Sequence, residues 1–504
     1  MAYKLHERGL AKIFGISGSG PSFKLLTALR ELGVDYIPVS HEAIGPIAAG
    51  VYQYMTGKLC ASISIKGPGF ANALAGVSAA WFERYPMLNI AEGYADNAPA
   101  NLMHKRIDQL QMVLPVTDRI SSLSHLDDFD DFLSFADTNS APHHFELAEI
   151  SDLPNAVKLD HSDVAGESEL VLLGTKIATS EKPVLILGSL IHRLAIEKDF
   201  DRLQLPIFTT VQAKGILDES KLNAAGIYTG IGGALVPEAR LLQEADLVLT
   251  IGLRNHEILS IGGKENFINL DTDFFPESPN TMLIKAKAIR FILATLERKS
   301  NWAERILKEI WVGFDSYIEE SGWMPGAAFK VLNEQGYSHG MVLDTGTFCT
   351  IGEHIWRAST GRKFVGSSNG RNMGIGIPSA LGLSLAFPDL PIFCVLGDGG
   401  IRYYNTEVRT FVKRKLPVCF ILMTDDCFGS IAQAVDDFRY IGDILKPTNR
   451  MWKSSFEAMG VPSFLIENTD DLRKQLNAWD RASPMFLELP FQPEAYRTIA
   501  ENLR

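Results

Sequence analysis

Short apolar runs alternate with longer amphipathic segments along almost the whole chain. In the first third the runs are KIFGIS (12–17), DYIPVS (35–40), CASISIK (60–66), MLNIAEG (87–93) and HHFELAEI (143–150). Helical patterns separate them at Phe23 to Leu32, Ile44 to Met55 and Asn72 to Trp81. A second series carries PVLILG (183–188), PIFTT (206–210), ADLVLTIG (245–252) and NFINLD (266–271). A third carries GMVLDTG (340–346), KFVGSS (363–368), PIFCVLGDGG (391–400), PVCFILMTDD (417–426), SFLIE (463–467) and MFLELP (485–490), with a helix from Pro378 to Ala386. Continuous apolar runs alternating with helices predict parallel sheets covered on both faces.

Two segments punctuate the pattern. The polar stretch SDLPNAVKLDHSDVAGESE (151–169) reads as a domain boundary. The charged helical segment LERKSNWAERILKEIWVGF (296–314) reads as a bridge. The expected organisation is an α/β chain of three successive open parallel-sheet domains, at 1–160, 165–305 and 325–504. The 504-residue length agrees with about three domains.

Composition narrows the class. Charged residues are 21% of the chain and the net charge is −12, with no block of Lys and Arg, which argues against a nucleic-acid surface. The five cysteines form no C-x-x-C pair, so they read as small hydrophobes in a reducing compartment. No apolar run approaches the ~20 residues needed to cross a bilayer. The first twenty residues lack a signal-like apolar segment, so a cytoplasmic location is expected.

The chemistry is concentrated at strand ends. In open parallel sheets, ligands bind beyond the carboxyl ends of strands. Asp398 follows one apolar run and Asp425 follows the next, twenty-seven residues later. If those strands are neighbours, the two carboxylates converge, and two hard oxygen donors suit Mg2+ with phosphate oxygens and water. Gly397, Gly399 and Gly400 around the first acid permit close backbone approach, and the helix start beyond them favours an anion.

The arrangement resembles the diphosphate-binding motif of thiamine diphosphate (ThDP) enzymes: G-D-G, then about two dozen residues, then usually Asn-Asn. Here Thr424-Asp425 stands at the Asn pair. The resemblance implies three metal ligands: Asp398, Asp425 and the main-chain carbonyl of Cys427. HEAIGPIAAGVYQYMTG resembles the family's His-Glu and the helix after it, and SIKGPGFANALAG its G-P-G-x-x-N segment. By that likeness Glu42 hydrogen-bonds the aminopyrimidine ring and promotes its imino tautomer, and the thiazolium serves as electron sink. A dry cleft is expected around this carboxylate. Met373, in GRNMGIGIPSALGLSLAFP, matches the large apolar residue that holds the cofactor bent, and the carbonyl of Arg371 receives its amine. Thr345, Gly346, Thr347 and Phe348 match the loop on the other side of the diphosphate. Phe428, Gly429 and Ile431 complete the expected cofactor contacts.

The likeness covers nearly the whole chain and is to the acetolactate synthase, benzoylformate decarboxylase and pyruvate decarboxylase group. It implies a 2-oxo acid donor with a carbonyl acceptor. It also implies a homodimer or homotetramer, because in that group Glu42 and the diphosphate site of one centre belong to different chains. HKRIDQLQMVLPV supplies the substrate-side candidates His104, Lys105, Asp108 and Gln109, with Ser19 in GISGSG. Gln109 falls near the Gln that acetolactate synthases place by substrate. Lys66 precedes G-P-G where a small residue is usual, and pairs with a carboxylate of the protein or of the substrate. No dinucleotide fingerprint occurs in the middle third, so that domain reads as structural. The expected activity is ThDP- and Mg2+-dependent carboligation. The alternatives are decarboxylation to an aldehyde and a catalytically silent subunit. A nicotinamide-dependent dehydrogenase fails on the missing fingerprint.

Overall fold

The computed structural model describes residues 1–98, 105–138, 141–150, 164–193, 196–254, 257, 267–271, 281–336, 338–358, 364–429, 431, 452–492, 499 and 503. Its strands form three six-stranded sheets, each parallel throughout. The first holds β1 (Lys12–Ile16), β2 (Asp35–Pro38), β3 (Cys60–Ser64), β4 (Met87–Glu92), β5 (Arg119–Ser122) and β6 (Pro142–Leu147), in the order β2-β1-β3-β4-β6-β5. The second holds β7 (Pro183–Leu187), β8 (Ile207–Thr209), β9 (Ala224–Ile227), β10 (Leu247–Ile251), β11 (Phe267–Asp271) and β12 (Thr281–Leu283), in the order β12-β11-β10-β7-β8-β9. The third holds β13 (Gly340–Leu343), β14 (Phe364–Gly366), β15 (Ile392–Gly397), β16 (Val418–Thr424), β17 (Ser463–Leu465) and β18 (Met485–Pro490), in the order β14-β13-β15-β16-β18-β17. The first and third sheets thus share one strand order.

The central strands are apolar because helices cover both their faces. β15 and β16 are buried at every position. Their register pairs Gly397 with Met423, so the strands end level. In the third sheet the order reverses at β13, which lies between β14 and β15. That reversal opens a crevice between the ends of β13 and β15, where ligands of such sheets bind.

The first and third sheets share a core. Helix Ile44–Thr56 and helix Gly376–Ala386 both contribute to one buried cluster, through Ile44, Ala48, Val51, Ile377, Ala380 and Leu381 among others. Small side chains let the two helices approach closely. Helix Ile44–Thr56 stops at Gly57, whose left-handed backbone (φ 68°) closes the last turn with a bond from its N–H to the Gln53 carbonyl. The bridge expected at 296–314 is two helices, Ala286–Leu296 and Glu304–Glu320, and the break falls in the polar SNW stretch.

Candidate active site

β15 and β16 are neighbours, as convergence of the two acids required. Asp398 is 6% exposed. It accepts the Thr424 hydroxyl at 2.6 Å and the Asp425 N–H at 3.0 Å. Asp425 in turn accepts the Cys427 N–H at 3.1 Å. The strand ends therefore hold both carboxylates in one hydrogen-bonded turn. Burial raises the Asp398 carboxyl, and burial together with the Asp398 charge pushes Asp425 up to about 7. A buried pair in which the Asp398 charge opposes ionisation of Asp425 suits a divalent cation between them. No cluster of three or more His, Cys, Asp or Glu able to hold a metal occurs among the described residues, but the expected set has only two such side chains.

A cation entering this turn displaces a proton. Mg2+ affinity is therefore expected to fall as pH drops below about 7, with proton release on binding. Calorimetry in two buffers of different ionisation enthalpy measures that release. An affinity that stays flat across this range contradicts the assignment.

Three loops close on the same point, and Asp344 ties them. This residue ends β13 and is buried. Its Oδ1 accepts the N–H groups of Thr345 at 2.6 Å and Gly374 at 2.9 Å. Its Oδ2 faces Gly400 and has no partner among the described residues; a Cβ on Gly400 would collide with it. Burial pushes this carboxyl up to about 6. The sequence pattern assigns Asp344 no role, although it stands at a strand end in LDTGTF, the same signal that marks Asp398 and Asp425. The Thr345 hydroxyl donates to the Asn372 carbonyl at 3.1 Å, joining the first loop to Arg371-Asn372-Met373.

Met373 lies over Gly399, with Phe428 on the same glycine. Both apolar groups therefore border the Gly-rich turn, and Met373 keeps 38% of its surface exposed. Ile431 is 55% exposed, and its N–H donates to the Phe428 carbonyl at 3.0 Å. Phe348 differs from its neighbours. Its ring packs under Gly346 and Gly397 in the core, so only its backbone can face a ligand. The Arg371 side chain points away to Glu353 at 3.2 Å and Cys349 at 3.1 Å, which leaves its carbonyl as the group of interest. The backbone of the glycine cradle for the anion and the two acids for the cation form a set that fits a diphosphate with its cation.

Glu42 lies beyond the end of β2. Its Oε2 accepts Asn72 Nδ2 at 3.1 Å, and its Oε1 lies beside Gly69 of the G-P-G turn. It is half-buried in the single chain, where a dry cleft was expected. His41 accepts the Ala43 N–H at 3.1 Å, and its ring lies 5.5 Å from that of Tyr404, in the helix just after Gly400.

Gln109 is buried and its amide is committed to the framework. It accepts the Gly67 N–H at 2.7 Å and donates to the Glu92 carbonyl at 2.9 Å and to Glu146 at 2.8 Å. Asp108 caps the helix Gln109–Val113 by accepting the Gln111 N–H at 3.1 Å. Lys66 pairs with buried Glu92 at 3.5 Å, and Ser19 is exposed. His104 lies outside the described residues.

Glu83, at the end of helix Pro68–Glu83, carries no signal in the sequence. It is 2% exposed. One oxygen accepts the Ser367 hydroxyl at 2.7 Å and the Gly370 N–H at 3.0 Å; the other accepts the Ser368 N–H at 3.2 Å and the Gln212 amide. Gln212 comes from the middle segment and also accepts from buried Arg254 at 2.7 Å. One carboxylate thus joins all three units just before Arg371. Glu83→Ala is expected to cost on the order of 3 kcal/mol, because several buried donors lose their acceptor. Urea unfolding measures it; an unchanged midpoint contradicts the role.

Family models place this geometry. The description "Thiamine pyrophosphate enzyme, N-terminal TPP binding domain" matches residues 1–112, the central domain of the same enzymes 173–285, and the C-terminal TPP binding domain 344–489. The chain belongs to the thiamine pyrophosphate enzymes. Thiamine pyrophosphate is ThDP under its other name, and the C-terminal match begins at Asp344 and includes both strand-end acids. Among relatives, the acetolactate synthase of Bacillus subtilis is 25% identical over 96% of this chain and 91% of its own length. The acetolactate synthase large subunit of Lactococcus lactis is 23% identical over 96% and 90%. A putative thiamine pyrophosphate-containing protein of Bacillus subtilis, YdaP, is 22% identical over 94% and 87%. No helix among the described residues is long and apolar enough to cross a membrane.

Proposed function

We propose that this thiamine pyrophosphate enzyme is a Mg2+-dependent carboligase that takes a 2-oxo acid as donor and a second carbonyl compound as acceptor. The observation that carries the reading is the apolar pair of Met373 and Phe428 over the Gly399 turn, with exposed Ile431 bonded through its N–H to the Phe428 carbonyl. The bound cofactor supplies the electron sink for decarboxylation. The chain's own groups decide the fate of the decarboxylated fragment. An acid close to it would protonate it and release an aldehyde. By the resemblance, Ile431 stands where the pyruvate decarboxylases carry Glu, and an apolar group there leaves attack on a second carbonyl as the favoured path. Relatives named acetolactate synthase support the same reading.

The remaining roles follow from the resemblance. Asp398, Asp425 and the Cys427 carbonyl hold Mg2+. Thr345, Gly346, Thr347, Phe348 through its backbone, Gly397, Gly399, Gly400 and Gly429 surround the diphosphate. Arg371 through its carbonyl, Met373, Phe428 and Ile431 border the rings. Glu42 relays the proton, and Gln109 and His104 are the substrate-side candidates. The three domains are 1–160, 165–305 and 325–504. The working unit is a homodimer or tetramer in the cytoplasm, and the exposed apolar groups Met373, Tyr403 and Ile431 support a covering partner.

A product assay with pyruvate and a panel of carbonyl acceptors tests the reaction. Ligated products are expected, and Ile431→Glu is expected to shift the ratio toward free aldehyde. Free aldehyde alone, with a ratio that Ile431→Glu leaves unchanged, favours the decarboxylase instead. Asp425→Asn is expected to keep Mg2+-dependent cofactor binding, since the amide oxygen still coordinates.

A further inference from the structure

A cavity of about 440 Å³ opens beyond the ends of β3, β4 and β6. It adjoins the G-P-G turn, because Gln109 in its wall accepts the Gly67 N–H and Glu42 lies beside Gly69.

Its two ends differ in charge. At the inner end stands Glu146, 1% exposed. Its Oε1 is bound by Gln109 at 2.8 Å and lies 3.3 Å from His144 Nε2. Its Oε2 has no partner among the described residues. That oxygen sits against Gly93 of the wall, where a Cβ would collide with it. A buried carboxylate oxygen left without a donor is destabilising, so a donor arriving there is favoured.

At the mouth stand Lys105 and Arg106, both exposed. Neither has a carboxylate partner among the described residues; Arg106 lies 5.8 Å from the ring centre of Tyr94. Lys66 lies 4.9 Å from the same ring but is paired with Glu92, so the rim cations open to a ligand are Lys105 and Arg106. Asp108, which caps its helix, and Asp96 put two carboxylates on the same rim, so an anion is drawn by direct contact with the two cations and not by a net field.

We propose that this cavity is the acceptor subsite, and that it selects a hydroxylated carbonyl compound with a terminal anionic group. A hydroxyl donates to Glu146, and the anion meets Lys105 and Arg106. The inference rests on the carboligase reading for the reacting end, and on the cavity alone for the binding end.

Calorimetry on the ThDP–Mg2+ holoenzyme tests the binding end with four probes. Glycerol 3-phosphate carries both features, glycerate replaces the phosphate by a carboxylate, inorganic phosphate has only the anion, and glycerol only the hydroxyls. Glycerol 3-phosphate or glycerate is expected to bind about tenfold tighter than phosphate and glycerol. The tighter of the two identifies the anion. Arg106→Gln and Lys105→Gln, at exposed positions, are each expected to weaken that probe several-fold, and Glu146→Gln to narrow its lead over the anion-only probe. Equal binding of all four, no binding, or indifference to the two charge changes overturns the subsite. Product analysis with pyruvate and either glyceraldehyde or glyceraldehyde 3-phosphate then separates the two claims. Selective binding without ligation to any acceptor leaves the subsite and removes the carboligase. Ligation to uncharged acceptors without selective binding does the reverse.

Discussion

Glu42→Gln is expected to lose about 10²–10⁴-fold in turnover while still binding ThDP. The side chain that replaces the acid keeps its shape and a hydrogen-bonding oxygen. It cannot carry the proton that the ring nitrogen must exchange. Glu42 is suited to the task because it is held and yet open: Asn72 fixes one oxygen at 3.1 Å, and the residue remains half-buried in the single chain. A partner subunit that covers this face would dry the carboxylate and strengthen its coupling to the ring. Steady-state rates and a ThDP titration on the same preparation separate chemistry from binding. Wild-type turnover in this variant removes Glu42 from the proton path. Loss of binding together with turnover makes it a structural residue instead.

Asp398→Ala is expected to abolish Mg2+-dependent ThDP binding within the measurable range. This carboxylate is both an expected cation ligand and the acceptor that orders the next strand's end, through Thr424 and the Asp425 N–H. Its removal takes away one ligand and loosens the second. The diphosphate then has only backbone and hydroxyl donors, with no cation to bridge it to the protein. Titration with ThDP at saturating Mg2+ is the measurement, and circular dichroism of the apo-protein controls for folding. Normal ThDP affinity in a folded Asp398→Ala protein contradicts the strand-end metal site. Asp398→Asn, which keeps an oxygen and the hydrogen-bonding shape, is expected to fall between the two.

Much of this architecture could be read from the chain, and the gaps share a cause. Central parallel strands are buried on both faces, so they appear as unbroken apolar runs; β15 and β16 are legible to within a residue. The strands that the pattern does not reveal are β5, β9 and β12, at RISS, AAGI and TML. All three lie at sheet edges, where one neighbour is missing and burial makes weaker demands on sequence. The helix Phe129–Thr138 is hidden for a similar reason, since its acidic first turn reads as a loop. Candidate chemistry obeys the same rule. Asp398 and Asp425 announce themselves by position at the ends of apolar runs. Gln109 and Glu83 take their meaning from partners far along the chain, and no local pattern carries that information. Glu83 reaches Ser367 across 284 positions. Lys66 stands out as an oddity, but only the fold shows that Glu92 is its partner.

The Glu83 junction bears on how the molecule comes apart. A domain that unfolds alone must first break its links to the others. Here Glu83 or its partners Gln212, Ser367 and Gly370 would be stranded, according to which unit departs. Partial opening is thus penalised from every side, and intermediates with one unit melted are disfavoured relative to both end states. Heat or denaturant then meets one cooperative body in place of three. Fragments produced by cleavage between the first unit and the rest are expected to stay together, because the contacts across Glu83 do not depend on the covalent link.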